Sequence, residues 1–296
     1  MKYVITGGAG NIAKPITQKL IKAGHEVTVI GRNAENLKEL TDPGAKPAIG
    51  SVDDAAFLKK TFAGADAVYT MVPPNFGVSN WKEYIGNVGK KYAEAIKANN
   101  IKYVVNLSSI GAHLPEGAGP ISGLYRVEQS LNTLDDVNIK HLRPSYFFNN
   151  LLGNVDMAKH MNIIGSNFGG EDFKMVLVDT NDIADVAVEE LSGLKFKGHS
   201  VRYIASDERT TAEIAKVLGT AIGKPDLPWV VFTDEQTLQG MLQAGLPEEI
   251  AKNYAEMGNG LRAGAVQADY WKNHPSLGKV KLEDFANKFA AVYNTN

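Results

Sequence analysis

Cysteine is absent from all 296 residues. The chain therefore has no disulfide, no thiolate nucleophile and no sulfur ligand for a metal. That absence suits a reducing compartment, and a cytoplasmic protein is expected. An excess of charge of either sign is missing as well. With 31 basic and 33 acidic residues the formal net charge is −2, which points to no nucleic-acid partner and to no membrane surface. No apolar run approaches the roughly 20 residues of a membrane-spanning helix. The N-terminus runs straight into a strand-like segment, which predicts no secretory leader. Internal repeats, low-complexity tracts and linker-like stretches are also lacking. No two histidines stand four apart on a helix, and the acidic pairs Asp135-Asp136 and Glu171-Asp172 have no partners at ligand spacing. No metal site is expected.

What the chain does have is concentrated at its start, MKYVITGGAGNIAKPI. Tyr3, Val4 and Ile5 read as a strand, Thr6-Gly7-Gly8-Ala9-Gly10 breaks it, and Ile12, Ile16 and Leu20 recur at helical spacing. A glycine turn between a strand and a helix is the context in which glycines signal phosphate binding. Glycine tolerates positive φ and lets the backbone come close to a pyrophosphate. The free N–H groups and the helix dipole then hold the anion. In the pattern Gly7-x-x-Gly10-x-x-Ala13, Ala13 serves for the third glycine, where a small residue allows close helix–strand packing.

Strand and helix signals alternate through the first half. Strands are expected at 27–30, 46–49, 65–71, 103–107 and 139–142, with helices at 34–40, 53–62, 79–99 and 123–134. This is the pattern of a doubly wound parallel sheet, an α/β Rossmann fold. Beyond residue 145 it becomes less regular. Helices are expected at 149–161, 182–191 (capped by Asn181 or Asp182), 211–221, 234–244, 247–257 and 283–293, with strands at 175–178, 201–205 and 230–233 and a loop over 162–172. The division is a dinucleotide-binding core over 1–145, to which 175–205 returns as part of the sheet. A smaller α/β substrate-binding cap then comprises 146–174 and 206–296. Tyr84, Val88 and Tyr92 form an apolar stripe read as core or, alternatively, a homodimer face. The stretch from Gly219 to Pro225 resembles a P-loop but is one residue short and lacks the Ser/Thr, so it reads as a helix C-cap.

Arg32 follows the second strand with no carboxylate until Glu35. An acidic residue there would take the ribose hydroxyls of NAD, whereas an arginine suits the 2′-phosphate of NADP. NADP(H) is therefore favoured over NAD(H). With Thr6 to Ala13 and Gly31-Arg32-Asn33, two more stretches complete a pattern: His141 to Asn150, reading HLRPSYFFNN, and Val178 to Val186, reading VDTNDIADV. The chain resembles the NmrA-like branch of the atypical short-chain dehydrogenases/reductases, which includes NAD(P)H quinone reductases and NADP-sensing regulators. The resemblance implies that Asn11 and Ile12 meet the phosphates. It places Val72 and Pro73 along the adenosine-ribose side, Leu107 beside the nicotinamide, and Tyr146, Phe147 and Asn150 at the substrate pocket.

The wider superfamily carries Tyr and Lys four apart on the helix after the fifth strand, the cation favouring the phenolate. Here Tyr125 is matched by Gln129, which bears no charge. Tyr125, Gln129 and Ser108, at the end of the fifth strand, are the candidate catalytic residues, with His113 a further candidate proton donor. Hydride transfer to a quinone or similar conjugated carbonyl tolerates a missing lysine, because it depends more on orientation than on a tuned acid. The expected function is thus an NADP(H)-dependent reductase of small-molecule substrates. The alternatives are a non-catalytic NADP(H) sensor with a protein partner and a sugar-nucleotide epimerase.

Overall fold

The computed structural model of the chain describes residues 1–295. It runs β1 (Lys2–Ile5), α1 (Ala13–Lys22), β2 (Glu26–Gly31), α2 (Lys38–Thr41), β3 (Lys46–Ile49), α3 (Ala55–Thr61), β4 (Ala67–Thr70) and α4 (Trp81–Ala98). Next come β5 (Tyr103–Leu107), α5 (Pro120–Leu131), β6 (Asn138–Pro144), β7 (Tyr146–Phe147), α6 (Val155–His160), β8 (Ile164–Ser166), β9 (Lys174–Val178) and α7 (Thr180–Gly193). The chain ends with β10 (His199–Ile204), β11 (Asp207–Thr210), α8 (Thr211–Ala221), β12 (Trp229–Val231), α9 (Asp234–Gln243), α10 (Glu248–Arg262), α11 (Ala268–Asn273) and α12 (Leu282–Thr295).

Seven parallel strands form the main sheet in the order β3-β2-β1-β4-β5-β6-β10. Side chains alternate across it. Tyr3, Ile5, Val29, Tyr69, Val105 and Leu142 join a core that includes α1 and α7 residues. Val4, Ile30, Val68, Val104 and Ile139 join the opposite core, with α3, α4 and α5 residues. Burial on both faces is why the central strands β1, β2, β4 and β5 are short apolar runs. The strand order reverses between β1 and β4, and the crevice beyond their C-terminal ends is where such sheets bind ligands. A third core fills the smaller region. There β9 lies between β7 and β11 in a separate three-stranded sheet, and β8 pairs with β12.

Several elements differ from expectation, each for a physical reason. β9 does not return to the main sheet, because β10 occupies the free edge of β6 and the side chains of Met175, Val176 and Leu177 are buried in the third core. β7, β8, β11 and α11 are too short to show a period, and β8 falls inside the stretch expected to be loop. The 34–40 and 149–161 segments begin as 3-10 turns rather than full helices. α5 starts at Pro120, three residues early, because proline is favoured in a first helical turn. Gly119 precedes it at φ 55°, where a Cβ would come within 2.0 Å of the Asn253 carbonyl oxygen of α10. α7 is capped by Asp179, whose side chain accepts from the Asn181 N–H. Asp182 is instead buried and accepts from Ser206 at 2.6 Å and from the Val280 N–H at 3.2 Å. The stretch near Gly223 is a helix end, with the Lys224 N–H bonded to the Gly219 carbonyl at 2.8 Å. Val88 and Tyr92 are wholly buried, so that part of the stripe is core.

A polar rung crosses the sheet. Thr70 donates to Asn106 Oδ1 at 2.9 Å, which turns the Asn106 amide toward His141 Nδ1 at 3.1 Å. The imidazole proton is thereby assigned to Nε2, which faces Asn132 Oδ1 at 3.0 Å. Burial is the main cause that pushes His141 down to about 4, with the Arg143 charge acting in the same direction. The unfolded chain takes up this proton near its ordinary value of about 6.5. Stability is therefore expected to fall as pH drops from 6.5 toward 4, by on the order of 3 kcal/mol from this group. Urea unfolding of wild type and His141→Gln across that range checks it. The variant, less stable at neutral pH, is expected to show a shallower acid slope.

Candidate active site

β1 ends at Ile5, and Gly7 turns the chain at φ 71°, where a Cβ would lie 2.5 Å from Met71 Sδ. The Gly8 N–H bonds to Ile30 O at 2.9 Å and the Gly10 N–H to Gly7 O at 2.8 Å, so the turn is held against β2. Among the described residues the N–H groups of Asn11 and Ile12 meet no main-chain acceptor. They are the open amides of the α1 N-terminus, where an anion is stabilised. A cavity of about 450 Å³ lies over this turn, lined also by Arg32, Ser51, Asp53, Pro73, Asn75 and Tyr84. Lys91 pairs with Asp53 and offsets its charge. Arg32 makes no ion pair among the described residues, which leaves its guanidinium available to a ligand. A glycine cradle with open amides fits a dinucleotide diphosphate.

A second cavity, of about 290 Å³, adjoins the first, and Met71 and Pro74 line both. It sits beyond the ends of β5 and β6, with apolar walls from Val72, Leu107, Ile110, Leu124, Phe147 and Leu261. Beneath it is a buried ion pair. Glu128 of α5, 2% exposed, accepts from Arg143 of β6 through Nε at 3.0 Å and Nη2 at 2.6 Å. Ser108 donates its hydroxyl to the same carboxylate at 2.5 Å. Arg143 also reaches the Tyr203 hydroxyl at 3.1 Å and lies 3.8 Å from Asp269. Burial opposes its charge, but Glu128 more than compensates and holds the guanidinium above its ordinary range.

A family model described as NAD(P)H-binding matches residues 7–193. The chain belongs to this NAD(P)H-binding family. An NAD(P)H azoreductase of Xenophilus azovorans is 24% identical over 86% of this chain and 85% of its own length. Two solved structures share the fold across 97% of this chain and 99% of their own. The NADPH-dependent quinone oxidoreductase of Escherichia coli, complexed with NADPH, has a TM-score of 0.81 at 18% identity. The triphenylmethane reductase of a Citrobacter species, complexed with NADP(H), has a TM-score of 0.79 at 21% identity.

In this NAD(P)H-binding chain the expected site residues separate into three groups. Gly7, Gly8, Gly10, Arg32 and Pro73 line the larger cavity, and Val72, Leu107, Ser108, Tyr146, Phe147 and Asn150 line the smaller. Thr6 is fully buried and lines neither; its hydroxyl accepts from the Met71 N–H at 2.8 Å and fixes the segment between the cavities. Ile12 buries its side chain in the core, leaving only its amide to the turn. Tyr125 and Gln129 also line neither cavity, and Gln129 is exposed. Ile121, Leu124 and Glu128 share the face of α5 that turns to the site. His113 stands beside Asp269, outside the cavity, and burial lowers its pKa. Sequence reasoning missed Tyr84 as a cavity residue and missed Glu128 and the α10 contributors Met257 and Leu261. Arg143 and Ser145 were visible only as parts of a motif.

Removing one partner of a buried ion pair leaves an uncompensated charge. Glu128→Leu alone is expected to cost about 3–5 kcal/mol in chemical denaturation. Arg143→Met added to it is expected to recover much of that loss, which a double-mutant cycle measures.

Proposed function

We propose that this chain is an NADP(H)-dependent reductase that passes hydride to a quinone or a similarly conjugated acceptor. The observation that carries the reading is the junction of the two cavities at Met71 and Pro74, which joins a dinucleotide cradle to an apolar chamber at the strand ends. When bound, the nicotinamide cofactor supplies the hydride there. Val72, Leu107 and Phe147 give the chamber apolar walls, and Met257 and Leu261 of α10 form its far wall. Within it no side chain is a ready acid. The proton of Ser108 is held by Glu128, and burial pushes the Tyr146 phenol well above its ordinary range. An acceptor whose reduced anion takes its proton from water suits such a chamber. Alcohol oxidation and sugar epimerisation, which need a positioned acid–base group, suit it less. The azoreductase, quinone oxidoreductase and triphenylmethane reductase named above support reduction of a conjugated acceptor. The preference for NADP(H) rests on Arg32, with Asp53 neutralised by Lys91.

Mixing the protein with NADPH and a panel of quinones and azo dyes, and following the absorbance of reduced nicotinamide, tests the reading. Sustained consumption is expected. Tight NADPH binding with no turnover across the panel would favour the sensor alternative. Arg32→Gln is expected to weaken NADPH binding about 10- to 100-fold, the worth of charge-assisted hydrogen bonds, and to leave NADH binding within about threefold. Fluorescence titration with each cofactor measures it.

A further inference from the structure

Two serines that line the smaller cavity carry hydroxyls in opposite hydrogen-bonding states. An ionised carboxylate only accepts hydrogen bonds. Glu128, paired with Arg143 through both oxygens, therefore takes the single proton of Ser108 at 2.5 Å. What Ser108 has left for a ligand is lone pairs. Ser145, 3% exposed, is the reverse case. Its Oγ is buried and has no hydrogen-bond partner, so its proton remains to be given. Such an orphan costs about 1–3 kcal/mol unless a ligand satisfies it. Both residues line the one cavity. The strand ends that carry them are tied together, Ser108 N–H to Leu142 O at 2.7 Å and Ile110 N–H to Pro144 O at 2.9 Å. Ser109 and Asn150 also line this space, but each is more exposed, so solvent can serve its polar atoms.

We propose that Ser108 and Ser145 form a two-point recognition site for a substrate that carries an O–H or N–H donor next to a carbonyl-type acceptor. Ser145 donates to the acceptor, Ser108 accepts from the donor, and Glu128 is the positioning residue that keeps Ser108 an acceptor. The apolar walls select a flat hydrophobic body and the two hydroxyls select its polar edge. A substrate without the donor leaves the Ser108 lone pairs unmatched. This specificity rests on the reductase reading, since it assigns the smaller cavity to the substrate. The same edge chemistry exists in the carboxamide of the cofactor, and the experiment separates the two sources.

Binding is measured by tryptophan fluorescence with NADP+ saturating, so that no turnover occurs. The probes are 2-(hydroxymethyl)-1,4-naphthoquinone and its methyl ether, which lacks the donor and carries one more methyl group, so the loss of the ratio in Ser108→Ala is what separates the hydrogen bond from the added bulk. Wild type is expected to bind the alcohol about five- to tenfold more tightly, the worth of one hydrogen bond. Ser108→Ala, which leaves the Glu128–Arg143 pair intact, is expected to bring the ratio to about one. Ser145→Ala is expected to weaken both probes equally and keep the ratio. Glu128→Gln is expected to lower the ratio while NADP+ affinity holds; if that variant does not fold, Ser108→Ala decides. A wild-type ratio near one, or a ratio that survives Ser108→Ala, overturns the proposal. So does a result in which the serine variants lose NADP+ affinity and leave the quinone ratio unmoved, which would assign the hydroxyls to the cofactor carboxamide. Steady-state assays with NADPH run alongside. If the binding ratio behaves as expected and no quinone is reduced, the reductase reading fails and the recognition site stands.

Discussion

A carboxylate and a guanidinium buried at the C-terminal edge of the sheet hold the active region together. Taking both ions out of water is costly, and the cost is offset only where the geometry is good and the remaining hydrogen-bonding capacity is filled. Both conditions are met. Arg143 meets Glu128 with two nitrogens, Ser108 adds a third bond to the carboxylate, and Tyr203 takes another guanidinium N–H. With Asp269 nearby, the cluster links β5, α5, β6, β10 and α11. The chamber floor is therefore placed by charge as well as by packing. The same bond that satisfies Glu128 sets the chemical character of Ser108, so a stability device and a recognition device share one proton.

Around that floor the topology does the rest. Parallel strands bring their C-terminal ends to one side, and the reversal between β1 and β4 opens the crevice in which the glycine turn lies. The cap contributes the opposite wall through α10. Glu249 of that helix accepts from the Trp81 N–H at 2.8 Å, and Glu256 binds Lys82 at 2.8 Å and the Gly117 N–H at 2.9 Å. These contacts seat α10 on the N-terminal end of α4 and on the loop that leads into α5. The chamber is thus closed by residues more than 100 positions from the strands beneath it.

Legibility in the sequence follows the range of the interactions involved. The glycine turn and Arg32 are decided within a few residues, and both could be read directly. The central strands β1, β2, β4 and β5 were legible because burial on both faces makes them short apolar blocks. Tyr125 and Gln129 illustrate the opposite case. Spacing alone shows that they share a helix face. It does not show that α5 begins at Pro120 or that Ile121, Leu124 and Glu128 are the residues turned to the site. Glu128 reads as an ordinary helix-surface charge because its partner Arg143 lies 15 positions away, on β6. Tyr84 reads as core or a dimer face for a similar reason: its stripe neighbours are buried, but it sits a turn closer to the cavity.

By itself the amino-acid order determined the alternation of strands and helices, the glycine turn after the first strand and the arginine beside it. Each of these depends on local backbone freedom, periodicity and nearest-neighbour charge. The tertiary structure alone decided which face of α5 meets the chamber, that Glu128 takes the proton of Ser108, that Ser145 is left without a partner and that α10 supplies the far wall. These outcomes depend on contacts between distant segments, and only packing the whole chain brings those segments within hydrogen-bonding distance.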